Sequence, residues 1–170
     1  MIRIASDVRP NAVTFVPEQA DEITTEGGLD VIAHEDVIKR AVQEISDAGV
    51  LASIFVDPDV AQIEACQRVR AQQIEICTAR YAELTDPTRA SEASEVEAEL
   101  SRISSCASRA GELGLKVAAG HGLTYRNVGA IAEIYPIEEL NIGHNIVAKA
   151  ALVGMERAVR EMIAAIEGRL

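Results

Sequence analysis

Two short turns pair glycine with histidine: Ala119-Gly-His-Gly-Leu-Thr-Tyr125 and Asn141-Ile-Gly-His-Asn145. Between two glycines, His121 has little backbone cover, so its imidazole can reach a ligand. Gly122 and the N–H groups ahead of a helix opening at Thr124 form an anion-ready nest. In the second turn, Gly143 and His144 supply N–H donors at the positive end of a helix dipole. Phosphate chemistry fits such donors.

A carboxylate adds to this set. Glu75 lies between Ile74 and Ile76 in a β-type run, where a buried charge is costly unless paired or protonated. It either faces outward from a half-exposed strand or points inward near a strand's C-terminal end. The inward position suits a general acid, a base or a cation stabiliser. Upstream, Glu22-Ile-Thr-Thr-Glu-Gly-Gly-Leu-Asp30 crowds hydroxyls, glycines and acids into a long loop. It reads either as a solvated Gly-Gly turn or as an ordered loop whose Thr24 or Thr25 hydroxyl meets a ligand. His34 precedes a charged helix start and reads as solvated. Cys66, Cys77 and Cys106 lack CxxC spacing, which suggests reduced thiols in a cytosol. The three histidines stand on separate elements, so no metal-ligand spacing emerges. There is no P-loop, no GxGxxG and no serine-nucleophile context.

The elements that must position these residues alternate. Strands are expected at 12–16, 50–56, 73–77, 115–119 and, most weakly, 139–143. The stripe Val37, Ile38, Ala41, Val42 and Ile45 predicts a helix stopped by Gly49. Asp57-Pro58 reads as an N-cap and N1 pair opening a helix that buries Val60, Ile63 and Cys66. Val96, Leu100, Ile103, Ala107 and Ala110 predict a helix closed by Gly114. Leu152, Met155, Val159, Met162 and Ile166 predict one last helix with a wide apolar face. Residues 2–7 read as the tail of a helix closed by Arg9-Pro10. With no linker or low-complexity tract, residues 1–170 read as a single domain. Alternation on this scale means parallel strands with right-handed crossovers, in an open doubly wound sheet or in part of a barrel. Two Gly-His turns on consecutive strands match the phosphate site at the last two strands of a (β/α)₈ barrel, and select the barrel.

Length and composition bound the function. The 170 residues fall short of the ~200 that a (β/α)₈ barrel needs at minimum. A net charge of −11 and 3% aromatics disfavour a nucleic-acid surface or a base-stacking platform. No apolar run reaches the ~18 residues of a membrane span, and Met1–Asp7 has no signal-peptide pattern.

The stretches Val16-Pro-Glu, Thr24-Thr-Glu-Gly-Gly-Leu-Asp-Val31, Ile74-Glu-Ile, Gly114-Leu-Lys-Val-x-Ala-Gly-His-Gly-Leu-Thr-Tyr125 and Glu139-Leu-Asn-Ile-Gly-His144, in this order, resemble the pyridoxine 5′-phosphate synthase family of vitamin B6 biosynthesis. The resemblance covers essentially the whole chain. It implies an α/β fold of parallel (β/α)₈ TIM-barrel type, here incomplete with about five βα units. It also implies a transferase that condenses 1-deoxy-D-xylulose 5-phosphate with 3-amino-2-oxopropyl phosphate, giving pyridoxine 5′-phosphate, phosphate and water. A cytoplasmic homo-oligomer, an octamer in the family, without metal or organic cofactor, and without nucleic-acid or membrane partners, belongs to the same expectation. Position by position, Thr24 resembles the threonine contacting deoxyxylulose phosphate, Glu75 the charge-stabilising glutamate and His121 the proton donor. Gly122, Gly143 and His144 resemble the aminoketone-phosphate site.

The chain departs from the family in two ways. Where the family reads Glu-Ile-His-Thr-Gly, this chain reads Glu75-Ile-Cys77-Thr78-Ala79. The family's first three βα units, with an Asn-x-Asp-His segment, a catalytic histidine, substrate-binding arginines and a catalytic glutamate, have no counterpart. The expectation is that this chain alone makes no product. Two other readings are a phosphate-binding remnant without catalysis and a barrel fragment that self-associates through open strand edges.

Overall fold

The computed structural model describes residues 1–17 and 27–169. Its elements run α1 (Ile2–Val8), β1 (Ala12–Phe15), α2 (Glu35–Asp47), β2 (Leu51–Val56), α3 (Val60–Arg68), β3 (Gln73–Cys77), α4 (Ala79–Leu84), α5 (Ala93–Glu112), β4 (Lys116–Gly120), α6 (Val128–Ala132), β5 (Ile137–Asn141), α7 (His144–Val153) and α8 (Met155–Ile166). Every strand pair is parallel, and the sheet order is β1-β2-β3-β4-β5. That sequential order decides between the two architectures. A doubly wound sheet reverses direction at a switch point and places helices on both faces. Here every crossover advances one strand the same way, so right-handed crossovers put the helices on one face, as in a barrel wall. Among the described residues the sheet is not closed.

The helix-side face is apolar. Ala52, Ile54 and Val56 of β2, Ile74 and Ile76 of β3, and Val117 and Ala119 of β4 are buried against Ile45, Ile63, Ile103 and Ala107 from α2, α3 and α5. Each fully buried Ile or Val side chain here contributes roughly 1.5–3 kcal/mol of transfer free energy. The alternate residues face the other way and are largely polar. Ser53, Gln73 and Lys116 lie in register, as do Phe55, Glu75, Ala118 and Glu139, and then Cys77, Gly120 and Asn141. Across this second face Gln73 Nε2 lies 3.4 Å from Glu139 Oε2, and Asn141 Nδ2 donates to Glu75 Oε2 at 2.8 Å. Glu75 therefore points inward, on the concave side of the incomplete wall.

Several local expectations need correction. The cap of α3 is Asp59, which accepts from Ala61 N–H at 2.7 Å. Asp57 is engaged elsewhere, accepting from Gly28 N–H at 2.9 Å. Starting two residues late turns Val60 outward, while Ile63 and Cys66 are buried as expected. β5 begins at Ile137 and ends at Asn141, because a register shift between Val117 and Ala118 takes up Glu138. The last apolar stretch forms two helices, broken at Gly154 (φ 85°). Only Met162 of the five apolar residues expected on its inner face is fully buried; Leu152, Met155 and Val159 are exposed. Ala158 and Ala165 fill the inner face instead. The short α4 and α6 add elements that the alternating pattern does not announce.

Candidate active site

The site forms where the strands end. Glu75 comes from β3, His121 and Gly122 from the residues after β4, and Gly143 and His144 from the start of α7. All five line one cleft of about 520 Å³, together with Val16, Phe55, Thr124 and Asn141 among others. A second cleft of about 720 Å³ shares His121, Gly122, Thr124 and Asn145 and extends over α4 past Thr85 and Asp86. The structure thus brings together Glu75, His121, Gly122, Gly143 and His144, the described residues expected to form the site. Thr24, with Thr25, lies outside the described residues. His34 is exposed at the N-cap of α2, away from these clefts.

The Glu75 carboxyl sits beside Gly120 because nothing else fits there. A Cβ on Gly120 would lie 2.5 Å from Glu75 Oε1 and 2.8 Å from the Asn141 carbonyl. Burial pushes the Glu75 carboxyl up from its ordinary value, the Asn141 hydrogen bond opposes that, and the Glu139 charge adds to it. A carboxyl that retains its proton at higher pH can donate that proton to a base and, once ionised, stabilise a nearby cation. Asn141 was not singled out from the sequence, although it stands inside the second Gly-His turn; its role depends on a cross-strand register that no local pattern reveals.

His121 sits in the left-handed backbone region, with φ 83°. A non-glycine residue there costs about 1–3 kcal/mol and persists only where its surroundings impose it. Its ring lies 6.3 Å, centroid to centroid, from buried Phe55, tilted by 44°. The next residue, Gly122, also has positive φ (75°), and a Cβ there would meet Ala82 Cβ at 2.5 Å. The nest expected ahead of α6 is partly occupied from within. Thr124 N–H donates to Asn127 Oδ1 at 2.7 Å, and Arg126 N–H to Thr124 Oγ1 at 3.2 Å. Donors for an anion therefore come from Gly122 and from the first turn of α7. That helix is capped by Gly143, with no side chain capping its N–H groups, so its first turn keeps unsatisfied donors and the positive dipole end at the cleft.

A scaffold invisible to sequence reasoning holds these turns. Tyr125 donates its hydroxyl to the Ala158 carbonyl of α8 at 2.9 Å, and Lys149 of α7 lies 4.1 Å over its ring. Lys149 and Arg157 both pair with Glu161, tying α7 to α8. Cys77 is buried, and burial pushes its thiol up to about 11. Among the described residues, no group of three or more His, Cys, Asp or Glu could hold a metal ion. None of the described helices is long and apolar enough to cross a membrane.

Comparison with known proteins agrees with this geometry. The family model described as pyridoxal phosphate biosynthesis protein PdxJ matches residues 1–168. Pyridoxine 5′-phosphate synthase of Geotalea daltonii is 48% identical over 163 residues, covering 96% of this chain and 66% of the relative. The synthase of a Synechococcus strain is 48% identical over 95% of this chain and 65% of its own length. That of Thermosynechococcus vestitus is 48% identical over 98% and 67%. Among solved structures, the Amycolatopsis orientalis BexX/CysO complex contains a chain that aligns over 99% of this one and 62% of itself. The TM-score is 0.53 and the identity 14%, a likeness of fold alone. The chain thus spans about two thirds of the length of these curated relatives. With an open parallel wall, both Gly-His turns at its rim and a family model matching nearly every residue, the chain belongs to the pyridoxal phosphate biosynthesis protein PdxJ family.

Proposed function

We propose that a complete protein, in which these residues follow the family's first three βα units, is a pyridoxine 5′-phosphate synthase, a transferase joining 1-deoxy-D-xylulose 5-phosphate to 3-amino-2-oxopropyl phosphate. The observation that carries this reading is the shared cleft lined by Glu75, His121, Gly122, Gly143 and His144. In it, the α7 N-terminus with Gly122, Gly143 and His144 binds the phosphate of the aminoketone. His121 donates a proton to the oxygen that leaves during ring formation, and Glu75 stabilises positive charge developing beside it. Thr24 contacts the deoxyxylulose phosphate. The substrate donors are backbone N–H groups, a helix dipole and the His144 imidazole, so a net charge of −11 does not oppose binding of phosphorylated substrates. By the same resemblance, the complete protein works as a cytoplasmic homo-oligomer, an octamer, with no metal or organic cofactor.

The 170-residue chain by itself presents one side of this site. β1 and β5 each pair on one side only among the described residues, so the cleft is walled by five strands. We expect it to bind the aminoketone phosphate without forming product. Incubating the complete protein and the 170-residue chain with both substrates, and following pyridoxine 5′-phosphate, tests both statements. Product from the complete protein alone supports the reading. Absence of product from the complete protein, or turnover by the 170-residue chain, overturns the corresponding part.

A further inference from the structure

The loop that carries His121 is fastened from beneath by the residues around α4. Thr78 is fully buried and directly follows β3. Its N–H donates to the Gly120 carbonyl at 2.8 Å. Its Oγ1 lies 2.8 Å from that carbonyl and 2.6 Å from the carbonyl of His121, so one hydroxyl proton is shared between the last residue of β4 and His121 itself. Thr78 is also the N-cap of α4, yet its side chain caps nothing there. A threonine at that position ordinarily accepts from an N–H of the helix's first turn. Here its hydroxyl is turned across the sheet instead.

The far end of the same loop is held by the same short helix. Tyr81 donates its hydroxyl to the Asn127 carbonyl at 2.9 Å. Asn127 Nδ2 donates to Thr85 Oγ1 at 2.9 Å, while Asn127 Oδ1 accepts from Thr124 N–H. Residues 78, 81 and 85 thus grip the 121–127 loop at both ends. At the gripped start stands a residue whose φ of 83° is disfavoured for any side chain but glycine's hydrogen. Such a conformation requires an imposed contact, and among the described residues the Thr78 hydroxyl supplies the side-chain hydrogen bond to the His121 backbone.

We propose that Thr78 is a positioning residue for the reaction: its hydroxyl bond to the His121 carbonyl holds His121 in the left-handed conformation that presents the imidazole to the cleft. This rests on the reading of His121 as proton donor, but the structural part does not. The test compares Thr78→Val, which keeps the shape and loses the hydroxyl, with Thr78→Ser, which keeps the hydroxyl, both in the complete protein. Crystal structures read the backbone at His121, and steady-state kinetics read kcat and KM. Thr78→Val should move His121 out of its left-handed conformation and lower kcat about 10–100-fold, with KM for each substrate changed less than about threefold. Thr78→Ser should restore both.

The proposal is overturned if Thr78→Val leaves His121 in place, if it moves His121 without changing kcat, or if Thr78→Ser is as impaired as Thr78→Val. Should Thr78→Val not fold, Thr78→Ala against Thr78→Ser carries the same comparison. A wild-type protein that forms no pyridoxine phosphate would defeat the functional reading, while the crystal structures would still decide whether Thr78 sets the His121 backbone.

Discussion

At Glu75, burial and the Glu139 charge raise the carboxyl above its ordinary value, against the pull of Asn141. The folded chain therefore keeps a proton there over a range in which the unfolded chain, with its glutamate near ~4.3, has lost it. Stability from this protonation is complete below that unfolded value and is lost as pH rises through the folded one. Glu75→Gln, which cannot ionise, should raise the urea midpoint relative to wild type at pH 8 and lose that advantage at pH 4. An equal difference at both pH values would contradict the assignment. The cysteines allow a second test. Burial pushes Cys66 up to about 12, and Cys77 and Cys106 up to about 11. Thiolate, the reactive form, is accordingly scarce at pH 8. Ellman's reagent should label none of these thiols within minutes in the native protein and all three in guanidinium; rapid native labelling of Cys77 would show that it is open to solvent.

At the scale of elements, the strands were legible because parallel βα units write buried strands as short β-branched runs ended by turn residues. Ile74-Glu-Ile shows the limit of that signal. Both isoleucines face the helices, but whether the intervening glutamate meets solvent or a cleft depends on Gly120 and Asn141 from neighbouring strands. The Asp57 cap failed for a related reason: its carboxylate serves Gly28, from a loop 29 residues away, and the cap passes to Asp59. In the last helix, the apolar pattern was real but Gly154 at φ 85° divided it. The close approach of β4 to Glu75 makes its own prediction. Gly120→Ala ordinarily favours a strand by reducing backbone entropy, yet here it should displace the Glu75 carboxyl and the β5 backbone. We expect an overpacking cost of about 1–3 kcal/mol and a fall in kcat of at least tenfold in the complete protein. Unchanged kcat would show that Glu75 does not depend on that gap.

Across the whole molecule, one arrangement connects sequence to chemistry: sequential parallel strands put helices on one face and leave a polar concave face ending at the cleft rim. The two Gly-His turns pointed to that rim because a barrel gathers the ends of consecutive strands. Acidity and the proposed phosphate binding are compatible because the proposed donors, peptide groups held by the fold and the His144 imidazole, need no basic surface. The most direct test of this division of labour is steady-state kinetics of the complete protein with each substrate varied, for wild type, His121→Asn and His144→Ala. His144→Ala should raise KM for the aminoketone phosphate about tenfold or more and leave KM for deoxyxylulose phosphate within about twofold. His121→Asn should lower kcat about 10²–10⁴-fold with little change in either KM. A His121→Asn protein with wild-type kcat, or a His144→Ala protein with an unaltered KM for the aminoketone phosphate, would contradict the site as assigned.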